Sequence, residues 1–173
     1  MGLFGWSLAL PLLFGVAQER LPAGWKEITA KETGFSVAMP AEPMIKKQAV
    51  KTVNGLVNVM MYIADGRNDS NFVVSYSDFP TANFKKADID KRLDQARDGA
   101  ITKAGGKKRS EEKIQLMGHP GREIVIEKNG EIIVKMRLYL VKNRLYQVMV
   151  VGQGAIFTSR DVGAFFDSFH LSD

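Results

Sequence analysis

Cysteine is absent from this 173-residue chain and histidine occurs only twice. The first absence excludes disulfides, thiolate metal centres and cysteine nucleophiles together. The second leaves little for acid–base chemistry. His119 precedes Pro120 in a segment that reads as a turn, His170 reads as the end of a final helix, and neither has a nucleophile beside it. No G-x-S-x-G elbow and no Walker loop occurs, and Gly152-Gln153-Gly154, a fragment of a nucleotide fingerprint, reads as the exit from a strand. The sequence therefore points to no catalytic residue and no cofactor, and the expectation is a protein that is not an enzyme.

Charge is missing from the opening, MGLFGWSLALPLLFGVAQER, until Glu19. Leu8 to Ala17 has the length of a signal-peptide apolar core and ends in the small residues Gly15-Val16-Ala17, so cleavage would leave Gln18 first. A membrane span needs about 20 apolar residues, which this run reaches only if Gly2, Gly5, Ser7 and Pro11 are counted. Residues 1–17 are expected to be a signal peptide, with a membrane anchor over residues 1–18 as the alternative. Residues 18–173 then form one domain, periplasmic or secreted. Lipid attachment is not expected, because there is no cysteine to acylate and Trp6 stands where the myristoylation pattern needs Ser or Thr.

A hydrophobic fraction of 45% with 25% charged residues is that of a globular domain, and the net charge of +5 lies wholly beyond the opening. Such a balance favours a protein partner or an anionic surface. The densest basic stretch, KAGGKKRSEEK, reads as a solvated loop between a helix and a strand. Its Lys107, Lys108 and Arg109, with His119 and Arg122 farther on, are the candidate partner contacts. Lys46, Lys47 and Lys51 read as the solvent side of a strand. Nucleic acid is not expected, since aromatics do not interleave with the basic cluster and no RNP-type strand is present. The run ADGRNDSN offers oxygen donors, but Arg67 stands where a calcium ligand belongs and no bidentate Glu follows, so it reads as a polar turn.

Periodicity divides the rest. Trp25 to Ala30 and Phe35 to Met39 read as short strands about Glu32-Thr33-Gly34, and the apolar runs on either side of Asn54-Gly55 as a hairpin with a type I′ turn. Phe72 to Tyr76 gives another strand. In KKADIDKRLDQARDGAITKAGG the residues Ile89, Leu93, Ala96, Ala100 and Ile101 share one helical face, with Asp88 and Asp90 at the N-terminus and Gly105-Gly106 at the end. Glu112 to Met117, a turn at His119-Pro120-Gly121, and a three-strand meander turning at Asn129-Gly130 and Lys142-Asn143 follow. A final helix, capped by Thr158 or Ser159, carries Val162, Phe165, Phe166 and Phe169 on one face. The expected fold is α+β: an antiparallel β-sheet packed with a central amphipathic helix and a C-terminal helix.

The FSVAMP strand, the middle helix, the hairpin YLVKNRLYQVMVVG and the ending FFDSFHL together resemble the PsbP-like family over Trp25 to Leu171. That resemblance implies an accessory subunit of the kind found on a photosynthetic complex, or one of its exported bacterial relatives. Photosystem members dock through an extended N-terminal segment, whereas here seven residues, Gln18 to Gly24, precede Trp25. The expected function is an exported, non-enzymatic binding or accessory module of an extracytoplasmic complex. The alternative is a carrier of a small apolar ligand or lipid, with Met39, Met44, Met60, Met61, Met117, Met136 and Met149 lining an adaptable pocket. A hydrolase of unknown substrate comes third.

Overall fold

Strands form here where β-branched and aromatic residues alternate with polar ones, because alternation gives each strand one face to bury and one to leave wet. The computed structural model describes residues 21–30, 32–52, 55–79 and 86–172. Within them run β1 (Lys26–Ala30), β2 (Phe35–Met39), β3 (Met44–Thr52), β4 (Gly55–Asp65), β5 (Asn71–Asp78) and helix α1 (Lys86–Ala104). Then come β6 (Lys107–Leu116), β7 (His119–Lys128), β8 (Ile132–Val141), β9 (Arg144–Gln153), a 3-10 turn (Gly154–Thr158), helix α2 (Arg160–Asp167) and β10 (His170–Leu171). The opening that reads as a signal peptide, and Asn54 of the first hairpin turn, lie outside the described residues.

The strands make two antiparallel sheets, one of seven in the order β3-β4-β5-β9-β8-β7-β6 and one of three in the order β1-β2-β10. Register sorts side chains by face. Ile124, Met136 and Met149 stand in line across β7, β8 and β9, on the face where α1 inserts Leu93. The opposite face carries Tyr62, Phe72, Val74, Tyr146, Val148 and Val150, and the small sheet and α2 cover it with Phe35, Val37, Met39, Phe165 and Phe169. Aromatic rings interlock there edge to face, Phe35 on Tyr62 at 5.3 Å and Phe72 on Phe165 at 5.1 Å. The Tyr146 hydroxyl donates to the Thr33 carbonyl at 2.8 Å, and the Arg144 guanidinium reaches the same carbonyl at 2.7 Å while gripping Asp78 at 2.6 Å. The β1–β2 turn is thus fastened to the large sheet.

The α+β expectation with a central helix is overturned: of the described residues 56% are strand and 22% helix, and the fold is mostly antiparallel β-sheet in two sheets. The helical periodicity is real, but α1 buries only one large side chain completely, Leu93, and packs over β7 and β8. It covers part of one face, over β7 and β8, and the opposite core lies between the large sheet on one side and the small sheet with α2 on the other. The sequence reading erred elsewhere for related reasons. The basic stretch expected to be a loop is the start of β6, an edge strand exposed along most of its length; with little to bury it shows no apolar alternation, and pairing with β7 alone shapes it. The next turn is Met117-Gly118, with φ of +49° and +81°, so His119 begins β7. Helix α2 ends at Asp167, and His170 belongs to β10. Ser159 holds the N-cap position, but its hydroxyl makes no cap bond and has no partner among the described residues.

Candidate functional site

Three surfaces are candidates, and the first holds the basic residues that the sequence singles out. Cross-strand register sets Lys113 opposite Arg122 and Glu111 opposite Ile124, which places Glu111, Lys113 and Arg122 on the face under α1. The helix then brings Asp90, Asp94 and Arg97 over them, and an open hollow of about 610 Å³ lies among these groups. Arg122, with only 4% of its side chain exposed, bonds Asp90 and lies 3.6 Å from Asp94 and 3.5 Å from Glu111. Arg97 holds Glu111 at 2.9 Å and Asp94 at 3.0 Å, Lys108 reaches Glu111 at 2.6 Å, and Arg109 meets Glu127 at 3.0 Å.

The Arg122 hydrogen bond holds the Asp90 carboxyl below its usual range. Burial alone would raise Glu111, yet the hydrogen bonds from Lys108 and Arg97 bring it below the ordinary carboxylate value. Each of these cations thus has a carboxylate already in place, and the Arg97–Glu111 and Arg122–Asp90 pairs link α1 to β6 and β7. The structure brings Lys108, Arg109 and Arg122 to one region and sets Lys107 opposite Glu127 in register. His119 stands apart, paired with Leu116 at the other end of the β6–β7 hairpin. A partner here would have to displace existing ion pairs.

A second open hollow, about 740 Å³, lies between α2 and the outer face of the small sheet, lined in part by Glu27, Ser36, Asp161, Asp167 and His170. His170 is exposed, and its Nδ1 lies 2.8 Å from the Ser168 carbonyl oxygen. Among the described residues neither histidine ring meets a hydroxyl or a carboxylate, and no group of three or more His, Asp or Glu side chains is placed to hold a metal ion. The ADGRNDSN segment forms a turn: Asn71 Nδ2 donates to Asp65 Oδ1 at 2.8 Å, Gly66 N–H donates to the Ser70 carbonyl at 2.7 Å, and Asn68 and Asp69 take φ of +54° and +53°.

The third surface is the β3–β4 hairpin. Among the described residues β3 pairs with β4 alone and forms one edge of the large sheet. Its register, Met44 opposite Ile63 through Thr52 opposite Gly55, runs without a shift. Only Val59–Asp65 of β4 continues onto β5, so the hairpin projects beyond its neighbours. Met44 and Ile45 are each 58% exposed and Leu56 is 75% exposed, where apolar side chains of this size gain nothing from water. Lys46, Lys47 and Lys51 are exposed beside them with no carboxylate in ion-pair reach among the described residues. Lys47 and Lys51 share the face of Ile45, while Lys46 shares that of Met44. The sequence reading passed over these lysines, although the signal was present. Between Glu42 and Asp65 the chain carries three lysines and no acid, unlike β6, where Glu111 and Glu112 stand between Arg109 and Lys113.

Among the described residues no helix is long and apolar enough to cross a membrane. No family model matches the chain, and it matches no curated protein.

Proposed function

We propose that this chain is an exported, non-enzymatic accessory module that binds a protein partner of an extracytoplasmic complex, with the β3–β4 hairpin as its docking surface. One observation carries the reading: Met44, Ile45 and Leu56 stand in solvent on the hairpin at a sheet edge that, among the described residues, has no further strand and whose lysines have no counter-charge, while the other basic edge is internally neutralised. Exposed apolar groups rimmed by unpaired charge mark surfaces that other molecules cover. The signal-like opening supports export. The resemblance of several segments to the PsbP-like family agrees with an accessory role. The carrier alternative asks for an enclosed apolar cavity, whereas the hollow under α1 is open and lined by charged groups, the hollow beside α2 is an open cleft of mixed polar and apolar lining, and Met44 and Met117 are exposed.

The test is native mass spectrometry of the protein isolated gently from the cells that make it, beside a variant carrying Met44→Ser, Ile45→Ser and Leu56→Ser. The expected spectrum shows a chain beginning near Gln18 with a protein partner at fixed stoichiometry, and loss of that partner from the variant. A partner retained by the variant, or a small-molecule adduct in place of a protein, would refute the proposal.

A further inference from the structure

We infer that the β3 edge accepts an acidic, extended segment of its partner as an added antiparallel strand. The inference rests on the proposed docking role of the hairpin and specifies the chemistry of what docks. Sheet edges are ordinarily blunted, by bulges, by prolines or by charged side chains, lysine above all, because an edge strand offers a row of free backbone donors and acceptors; on β3 the lysines are the only such device, and they repel like charge but not an acidic strand. The two edges of the large sheet differ in this respect. On β6 the register shifts between Lys108 and Ser110, and its charges pair with Glu111, Glu127 and Asp90. On β3 nine residues run in unbroken register with no proline and no bulge. Such a strand spans about 30 Å, and about half of its backbone groups point away from β4.

The side chains select the occupant. Lys46, Lys47 and Lys51 give this strip three positive charges and no negative one among its nine residues, so carboxylates opposite them complete it. A second copy of the chain would bring three more lysines into the same strip, and like charges there oppose self-pairing. A membrane surface fits less well. Insertion needs the apolar side chains gathered at one tip with cations behind, but Met44 and Ile45 lie at the end of β3 away from the turn, Leu56 lies near the turn, and lysines occupy both faces between them. This spacing follows the length of a strand. Two adjacent acids would face Lys46 and Lys47, an apolar pair would cover Met44 and Ile45, and a third acid would stand four residues from the nearer of the two.

The probe is a fluorescent nine-residue peptide, Thr-Glu-Thr-Thr-Thr-Glu-Glu-Val-Val, titrated into the full chain, with a counterpart in which Lys replaces each Glu. The expected result is saturable binding of the Glu peptide that weakens with added salt and falls roughly tenfold in the Lys46→Glu, Lys47→Glu, Lys51→Glu variant. That variant should prefer the Lys peptide, and amide exchange should slow at alternate residues of β3 when peptide is bound. Equal binding of the two peptides, binding with unchanged β3 amides, or binding of phosphatidylserine vesicles without the peptide would each overturn the inference. If the peptide fails while the triple serine variant still loses its native partner, the docking role of the hairpin stands and the acidic strand is refuted. If the serine variant keeps that partner, the docking role itself fails.

Discussion

Helix α1 is held to the sheet in two ways, and their sizes predict an order of effects. Leu93 is wholly buried in the cluster of Ile124, Ile126, Met136 and Leu138. Leu93→Ala removes its transfer energy and leaves a cavity that strands paired on both sides cannot collapse to fill. Leucine truncations of this kind cost roughly 2–5 kcal/mol, and about 3 is expected here. The ion pairs around Arg122 look more imposing but weigh less. Asp90 is 57% and Asp94 44% exposed, so water competes for both, while Glu111 keeps Arg97 and Lys108 when Arg122 is replaced. Arg122→Met preserves most of the side-chain stem and should cost about 1 kcal/mol. Urea unfolding followed by far-UV circular dichroism gives both values from the midpoint and slope. A larger loss for Arg122→Met than for Leu93→Ala would refute the claim that packing rather than charge holds the helix.

Gly34 has φ of +77°, and an added Cβ would lie 2.9 Å from the Tyr146 hydroxyl, so Gly34→Ala should cost about 2 kcal/mol, read from the same urea transitions. Tyr146→Phe removes the bond to the Thr33 carbonyl and should cost about 1 kcal/mol in that assay. Asp90 and Glu111 both have depressed carboxyl pKa values in the folded protein. Their contribution is therefore full above roughly pH 5 and lost as pH falls through the folded values, so the urea midpoint should drop on acidification, less steeply in Arg97→Met, which removes one of Glu111's donors. Met44→Ser and Leu56→Ser should change stability by no more than about 0.5 kcal/mol, because exposed side chains contribute little to the core; a larger shift in thermal midpoint would mean that the hairpin packs against its own chain.

Local patterns were read well wherever one face of an element is buried. FSVAM was assigned as a strand and is β2, with Phe35, Val37 and Met39 inside. The helix in KKADIDKRLDQARDGAITKAGG was found because Leu93 and its neighbours share a face. The Asn129-Gly130 turn forms with φ of +54° and +74°, although Lys128 pairs with Ile132 and Glu131 joins the loop. Where nothing is buried the signal vanished. The first half of β6 is polar on both faces and so reads as a loop, whereas Ile114 and Leu116 in its second half pack on the core; the turn after it lies two residues earlier than the sequence suggests.

By itself the sequence determined that cysteine chemistry is absent, the periods of most of the strands and both helices, and the excess of positive charge. Those properties belong to residue types and short windows. The tertiary structure decided how the strands are shared between two sheets, because β5 pairs with β9 across the whole of α1 and β10 returns to β2 from the far end of the chain. It also decided which lysines have no carboxylate beside them among the described residues. Lys108 and Arg109 meet carboxylates supplied by strand pairing, while Lys46, Lys47 and Lys51 sit on a strand that becomes an edge. Whether a charge is spent or available depends on what stands across the ladder from it, and contacts between residues distant in sequence settle that.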